Sequence, residues 1–273
     1  MEHNYTPTVL TIAGSDPSAG AGIQADLKTI HANGGYAFTV TTALTAQNSQ
    51  GVIAVNIVDG LVVKSQLDAI LSDVHIDAVK IGMLGSLEIV EVVIEAILKY
   101  NLKNIVLDTV IISSSGKRLL EVNALKIFKE KLIPLVDIIT PNLLEINTLT
   151  HSSFLGVQEE QKQIADALFK LPIKSVLIKG GHFQDKRTST DTLIRKNRAI
   201  ETFSSPRIDT NHTHGTGCIL SSAISTHLAK GECLKQSVYL AKAYLTERLK
   251  NSSILKLNYN NKNKERTENI NHY

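Results

Sequence analysis

The chain has 273 residues, with 29 Lys and Arg against 26 Asp and Glu, giving a net charge of +3. No basic run gathers that charge into a stripe, so a nucleic acid or other polyanion is not implied as partner. Hydrophobic residues make up 43% and aromatic ones only 5%, which argues against an aromatic nucleic-acid platform and for a core of Val, Ile, Leu and Ala, as in parallel sheets covered by helices.

The start, Met1-Glu2-His3-Asn4-Tyr5, lacks the basic-then-apolar order of an export signal, and no stretch approaches about 18 apolar residues. The two cysteines, Cys218 and Cys233, make neither a disulfide framework nor a metal site of known spacing, as in a reducing compartment. A soluble cytoplasmic protein with no membrane partner is expected.

Along the chain, short apolar runs alternate with helical patterns, the signature of repeated strand-helix units and an α/β fold with a mostly parallel sheet. Strands are expected at 9–13, 37–43, 78–81, 104–108, 136–140 and 175–179. Helices are expected at 61–71, 86–100, 121–132, 158–168 and 219–230. The helix at 86–100 is the clearest, because Val90, Val93, Ile94 and Ile97 share one face while Glu88, Glu91 and Glu95 lie elsewhere. No linker divides the chain, so one domain over residues 1–250 is expected. Residues 251–273 hold seven Asn and few apolar anchors, the composition of a disordered tail.

In open α/β sheets ligands bind beyond the carboxyl ends of the strands, so the residues that follow each strand are the ones to test. They are Gly14 to Gly22, Gln47-Asn48, Gly82-Met83, Asp108-Thr109-Val110, Asn142 with Glu145, and Gly180-Gly181-His182. Gly20-Ala21-Gly22-Ile23-Gln24-Ala25 formally matches a dinucleotide fingerprint. Its glycines stand too far from the strand end, however, and no acidic residue follows about twenty positions on. No phosphate-binding G-x-x-x-x-G-K-[ST] loop is present. Asn142 and Glu145 fit a helix capping box; they also fit a carboxylate orienting water on a nucleotide's Mg²⁺. His182, His212 and His214 lack the further ligand spacing of a zinc site, and no structural zinc is expected.

The most informative segment is His212-Thr213-His214-Gly215-Thr216-Gly217-Cys218, which runs directly into an apolar-periodic stretch. Glycines at a helix entrance let an anion approach backbone N–H groups that have no partner in the helix, and the macrodipole adds about half a positive charge. Cys218 in the first turn would feel the same field, which lowers a thiol from about 8.5 and favours a thiolate. A nucleophile or base beside a phosphate cradle suggests phosphoryl transfer. A turn followed by a small buried hydrophobe is the plainer reading of the same residues.

Taken in order, eight motifs within a match that runs from about Thr8 to about Lys250 resemble the hydroxymethylpyrimidine/phosphomethylpyrimidine kinases of thiamine biosynthesis, within the ribokinase-like superfamily. The first four are Thr11-Ile12-Ala13-Gly14-Ser15-Asp16-Pro17-Ser18, Ala21 to Thr29, Thr42 to Asn48, and Lys80-Ile81-Gly82-Met83-Leu84. The other four are Leu107-Asp108-Thr109-Val110, Thr140 to Glu145, Ile178 to His182, and Thr213 to Cys218.

The resemblance implies a three-layer ribokinase-like fold. It also implies ATP- and Mg²⁺-dependent phosphorylation of 4-amino-5-hydroxymethyl-2-methylpyrimidine and then of its monophosphate. By motif match, Gln47 would read the pyrimidine with its amide, and Gly14, Asp26, Met83 and Val110 would complete that pocket. Gly215, Thr216 and Gly217 would cradle the transferring phosphoryl group, with Cys218 activating the substrate hydroxyl. Lys179, Gly180, Asn142 and Asp108 would lie toward the nucleotide, and Glu145 would meet Mg²⁺ through water.

Many members have Asp-Pro-Val where this chain has Asp108-Thr109-Val110. A homo-oligomer, a dimer, is expected, and the kinase alone rather than a fusion with a downstream enzyme. The competing readings are a pyridoxal or pyridoxine kinase of the same fold and a non-catalytic pyrimidine-binding protein.

Overall fold

The computed structural model describes residues 5–48, 51–113, 116–180, 187–196, 198–208, 214–251, 253–256 and 267–270. Its centre is a nine-stranded sheet of β1 (Thr8–Ser15), β2 (Tyr36–Asn48), β3 (Gly51–Ile57), β4 (Ala78–Ile81), β5 (Ile105–Leu107), β6 (Ile138–Ile139), β7 (Ser175–Ile178), β8 (Thr188–Arg195) and β9 (Glu201–Pro206). Their spatial order is β3-β2-β1-β4-β5-β6-β7-β8-β9. The inner pairs from β2 to β7 are parallel, while β3, β8 and β9 join antiparallel. The chain leaves β1 first to one side and then to the other, so a switch point opens between β1 and β4, where such sheets hold ligands.

Helices cover both faces because the strands are apolar on both faces. On one face, α2 (Gly60–Leu71), α3 (Leu87–Lys99), α4 (Ala124–Ile127), α5 (Leu143–Thr150) and α6 (Gln161–Leu168) bury Val63, Val93, Ile146 and Ile164 against Ile105, Leu107, Ile139 and Val176. On the other face, α7 (Thr216–Ala229) and α8 (Leu234–Lys250) bury Ile219, Ala223, Val238 and Ala241 against Val106, Ile138 and Leu177. The alternation of Ile105, Val106 and Leu107 between these two clusters is the strand period of two. Beside α7 lies α1 (Gly22–Ala32). This is the three-layer α/β arrangement expected from the motifs.

The six expected strands are all present, with ends shifted by up to five residues. Three strands of the central sheet were not expected. β3 is mostly exposed, and β8 opens on Thr-Ser-Thr-Asp-Thr, so neither shows the apolar run of an inner strand. β9 buries only Phe203. The helix expected at 121–132 is shorter as an α-helix: it passes into a wider turn over Phe128–Leu132 and a tight turn over Ile133–Leu135, which holds Pro134. In the segment expected to be disordered, β10 (Ser253–Lys256) pairs antiparallel with β11 (Thr267–Ile270), two short runs carrying the few β-formers of that stretch. The rest of 252–273 lies outside the described residues.

Candidate active site

The carboxyl ends of β1, β4, β5 and β7 converge on the entrance of α7. Gly215 caps that helix with φ of 76°, a left-handed value that disfavours any side chain. A Cβ there would also lie 2.8 Å from the carbonyl carbon of Gly20, so the turn before α1 and the entrance of α7 pack backbone to backbone. A Cβ on Gly217 would sit 3.3 Å from both Asp108 Oδ2 and Lys179 Nζ. The two glycines therefore leave a cradle lined by the first amides of α7, a buried carboxylate and a lysine. Such a surface fits a magnesium-bound phosphate chain.

The Asp16-Pro17-Ser18 turn, to which the sequence reading gave no role, shapes the opposite wall. Asp16 Oδ1 accepts from Ser18 N at 2.9 Å and Ser18 Oγ at 2.7 Å, and Oδ2 accepts from Ala21 N at 2.9 Å. An aspartate that bonds its own backbone two residues on is the usual signal of such a turn. Asp16 Oδ2 also lies 3.0 Å from His214 Nε2, which ties the loop to α7. Burial would raise this carboxyl, but the hydrogen bonds from His214 and Ser18 outweigh it and hold Asp16 below the ordinary aspartate value.

Gln47 stands where β2 overruns the end of β1, just past the register shift at Ala46/Gln47. Its amide nitrogen lies 2.9 Å from His214 Nε2 and 3.4 Å from Asp16 Oδ2. One ring nitrogen cannot donate to Asp16 and accept from Gln47 at once. Nε2 donates to Asp16 in one ring tautomer and accepts from the Gln47 amide in the other. Gly14 and Met83 adjoin below, since a Cβ on Gly14 would meet the Met83 sulfur at 3.3 Å, and Thr42 Oγ1 donates to Met83 O at 2.5 Å. Val110 follows Asp108 at the end of β5, its N–H donating back to Asp108 O at 2.8 Å. Gly14, Gln47, Met83 and Val110 thus share the rim expected of them.

Toward β7 lies a cluster of charge. Lys179 Nζ donates to Asp108 Oδ1 at 3.0 Å and stands 3.9 Å from Glu145 Oε2. Asp108 also accepts from Thr140 Oγ1 at 3.1 Å. Burial would push Asp108 up, but Lys179 and Lys80 overcome it and keep the carboxyl below its ordinary range. Glu145 is different. Burial drives it up to about 7, Lys179 pulls the other way, and Asp108 adds repulsion. It accepts from Asn142 N at 2.8 Å and from Thr109 Oγ1 at 3.0 Å, while Asn142 Oδ1 accepts from Glu145 N at 2.9 Å. The capping box is therefore formed, and it aims the Glu145 carboxylate at the cluster. Thr109, in place of a proline, supplies a hydroxyl that Glu145 uses.

Two expectations are corrected by this geometry. Asp26, assigned by motif to the pyrimidine pocket, has no exposed surface. Its carboxylate is already taken by Thr11 Oγ1 at 2.6 Å, Lys80 Nζ at 2.8 Å and Ser222 Oγ at 2.8 Å. It supports the site from beneath and does not face a ligand. The thiol of Cys218 moves opposite to the expected direction: burial pushes it up to about 11, Lys80 lowers it, and Asp26 and Asp108 raise it again. The helix end contributes about half a charge. Two nearby carboxylates and the loss of water outweigh that.

Gly180 is held by its own fold. Its N–H donates to Asp191 Oδ1 at 2.8 Å, and Asp191 pairs with Lys242 at 2.9 Å. Gly181, His182, His212 and Thr213 lie outside the described residues. Among the described residues no group of three or more His, Cys, Asp or Glu converges as a metal cage, and no helix is long and apolar enough to cross a membrane.

A family model described as phosphomethylpyrimidine kinase matches residues 16–263, from the Asp16 turn past the end of α8. The chain belongs to the phosphomethylpyrimidine kinase family. It is 42% identical over 248 residues to a hydroxymethylpyrimidine/phosphomethylpyrimidine kinase of Salmonella typhimurium, covering 91% of this chain and 92% of the relative. Among solved structures, a phosphomethylpyrimidine kinase of Clostridium difficile matches with a TM-score of 0.76 at 42% identity, over 88% of this chain and 98% of that one. A Bacillus subtilis pyridoxal kinase in complex with ADP matches with a TM-score of 0.84 at 32% identity, over 98% of both chains. The chain spans 46% and 48% of two bifunctional thiamine-biosynthetic relatives, so it corresponds to about half of such a protein.

Proposed function

We propose that this protein transfers the γ-phosphoryl group of ATP to the hydroxymethyl oxygen of 4-amino-5-hydroxymethyl-2-methylpyrimidine, and then phosphorylates the monophosphate to the pyrophosphate. The observation that carries the reading is the cradle of Gly215, Gly217 and the first turn of α7, facing the Asp108–Lys179–Glu145 cluster on one side and the Gln47–Met83 rim on the other. Mg²⁺ would neutralise the phosphate chain. Glu145, aimed by its capping box, would hold one of its waters.

The first amides of α7 would bind the transferring group, and Lys179 would reach the bridging phosphate oxygens once it swings from Asp108. Asn142 and Gly180 flank this nucleotide side. Gln47 would exchange its His214 bond for the ring nitrogen and amine of the pyrimidine, which an amide matches with one acceptor and one donor. Cys218 would take the hydroxyl proton. At a value of about 11 the thiol is protonated at neutral pH, so removal runs through a minor thiolate form. A loose phosphoryl-transfer transition state asks little of the base, because the nucleophile loses its proton late.

The second reading is a pyridoxal kinase, favoured by the fold match to the Bacillus subtilis enzyme over 98% of both chains. The higher identity to pyrimidine kinases supports the first reading. A homodimer in the cytoplasm completes the proposal. Leu44, Ile53, Ile57, Leu61 and Val62, exposed on β2, β3 and the start of α2, offer apolar surface that a second copy would cover. Mass-resolved products from MgATP and the pyrimidine alcohol test the reaction: mono- and then diphosphate is expected, whereas a monophosphate that accumulates unchanged under saturating ATP would refute the second step.

A further inference from the structure

Lys80 is the largest side chain with no exposed surface among the described residues, and the mechanism above does not use it. A buried ammonium is retained only when it is paired and hydrogen-bonded. Here the pairing is complete: Lys80 Nζ meets Asp26 Oδ2 at 2.8 Å, with both side chains fully enclosed. Space for the ammonium comes from Gly82, where a Cβ would stand 2.8 Å from Nζ. Asp26 carries the link onward, because Ser222 Oγ donates to its Oδ1 at 2.8 Å. Ser222 is four residues after Cys218 on α7, hence on the same side of that helix one turn along. The chain of contacts β4–Lys80–Asp26–Ser222 therefore ends on α7 one turn from Cys218.

We propose that Lys80 is a positioning residue of the transfer site: with Asp26 it forms a buried charged strut that fixes the first turns of α7 on the sheet and sets a positive charge beneath the turn that carries Cys218.

The groups that act on this thiol are Lys80 from β4, Asp26 from α1, Asp108 from the end of β5, Lys179 from the end of β7, and the backbone N–H of Gly22. Lys80 is the strongest of them in the stabilising direction, and Asp26 is the first of those that oppose it. Phosphoryl transfer brings further negative charge to the cradle. A cation held beneath it without exposure to water offsets that charge without competing for the ligand. The inference rests on the proposed role of Cys218 only for its effect on catalysis. The control of the thiol by Lys80 stands apart from it.

The test uses the full-length protein with exposed Cys233 changed to Ser, and reads the pH dependence of iodoacetamide alkylation at Cys218. At a fixed pH below the parent's midpoint, Lys80→Met is expected to slow alkylation and Asp26→Asn to speed it, each about tenfold or more. Opposite signs are the decisive feature. If the strut were packing alone, both variants would loosen the site and move the thiol down toward about 8.5.

The double variant Lys80→Met/Asp26→Asn leaves no unpaired charge and serves if either single variant does not fold. Its midpoint is expected at or above the parent's, and a fall toward the free-thiol value overturns the proposal. The pH–rate profile of the first phosphorylation separates the two claims. A shifted midpoint with an unshifted profile refutes the base role of Cys218 and leaves the Lys80 assignment standing, while an unshifted midpoint in Lys80→Met refutes the assignment whatever the kinetics.

Discussion

Gly215→Ala tests the cradle with one methyl group. The left-handed backbone at φ of 76° costs an L-residue about 1–2 kcal/mol. The added Cβ would lie 2.8 Å from the Gly20 carbonyl carbon, whereas unbonded carbons rest at about 3.5–4.0 Å, so the two backbones must part by about 0.7 Å or more. That displacement falls on the turn that positions the first amides of α7. A misplacement of about 1 Å in a reacting geometry costs about 10² in rate.

Gly231→Ala is the matched control, because its φ of 85° is as unfavourable but no atom lies within 4 Å of the new methyl. The control is expected to lose about 2–8 °C in Tm, at 2–4 °C per kcal/mol for a domain of this size, and to keep its kcat/KM. Gly215→Ala is expected to melt lower still and to lose about 10² in kcat/KM. Differential scanning calorimetry and steady-state kinetics on both variants check this. Equal kcat/KM in the two would refute the reading of Gly215 as part of the phosphate cradle.

Cys218→Ala is expected to lower kcat for the pyrimidine alcohol by about 10², the lower end for a positioned base. The monophosphate, whose second pKa is near 6 and whose attacking oxygen is already ionised at pH 8, should lose much less; equal losses for the two substrates would count against a base role. Cys218→Asp should recover part of the alcohol step. Gln47→Leu removes two ligand hydrogen bonds where the free amide already makes one to His214, a net loss of one bond worth about 0.5–1.5 kcal/mol, and pyrimidine affinity by calorimetry should fall about 2- to 13-fold with ATP affinity unchanged. Asp16 is held below its ordinary value of 3.8, so its ionised form stabilises the fold above that pH and the contribution is lost as pH falls through the folded value. Asp16→Asn should therefore flatten the drop of Tm below about pH 4, and an unchanged acid limb would remove Asp16 from the accounting.

The inner strands were legible because each is a short apolar run, and the rim followed from them. The entrance of α7 was legible because the glycine turn stands directly before an apolar period, and Gly215 does cap that helix. Burial was not legible. Asp26 and Lys80 stand 54 residues apart in the chain, and nothing local to either one shows that they pair with no exposed surface. Cys218 was misjudged from the same blindness, since a helix entrance can be read from sequence but the carboxylates that face it from α1 and β5 cannot. For Asn142 and Glu145 the capping box is formed, and it leaves room for the proposed contact with a magnesium water. The capping box that stabilises α5 is also what orients the Glu145 carboxylate. β9 was missed as an edge strand that carries polar residues, and β8, inside the sheet between β7 and β9, because it opens on Thr-Ser-Thr-Asp-Thr rather than on an apolar run.

The most direct test of the substrate assignment is a side-by-side measurement of kcat/KM for 4-amino-5-hydroxymethyl-2-methylpyrimidine and for pyridoxal, on the same preparation with MgATP. The pyrimidine is expected to be the better substrate, with turnover abolished or strongly reduced in Gly215→Ala for both. Preference for pyridoxal, or no phosphorylation of the pyrimidine, would contradict the account.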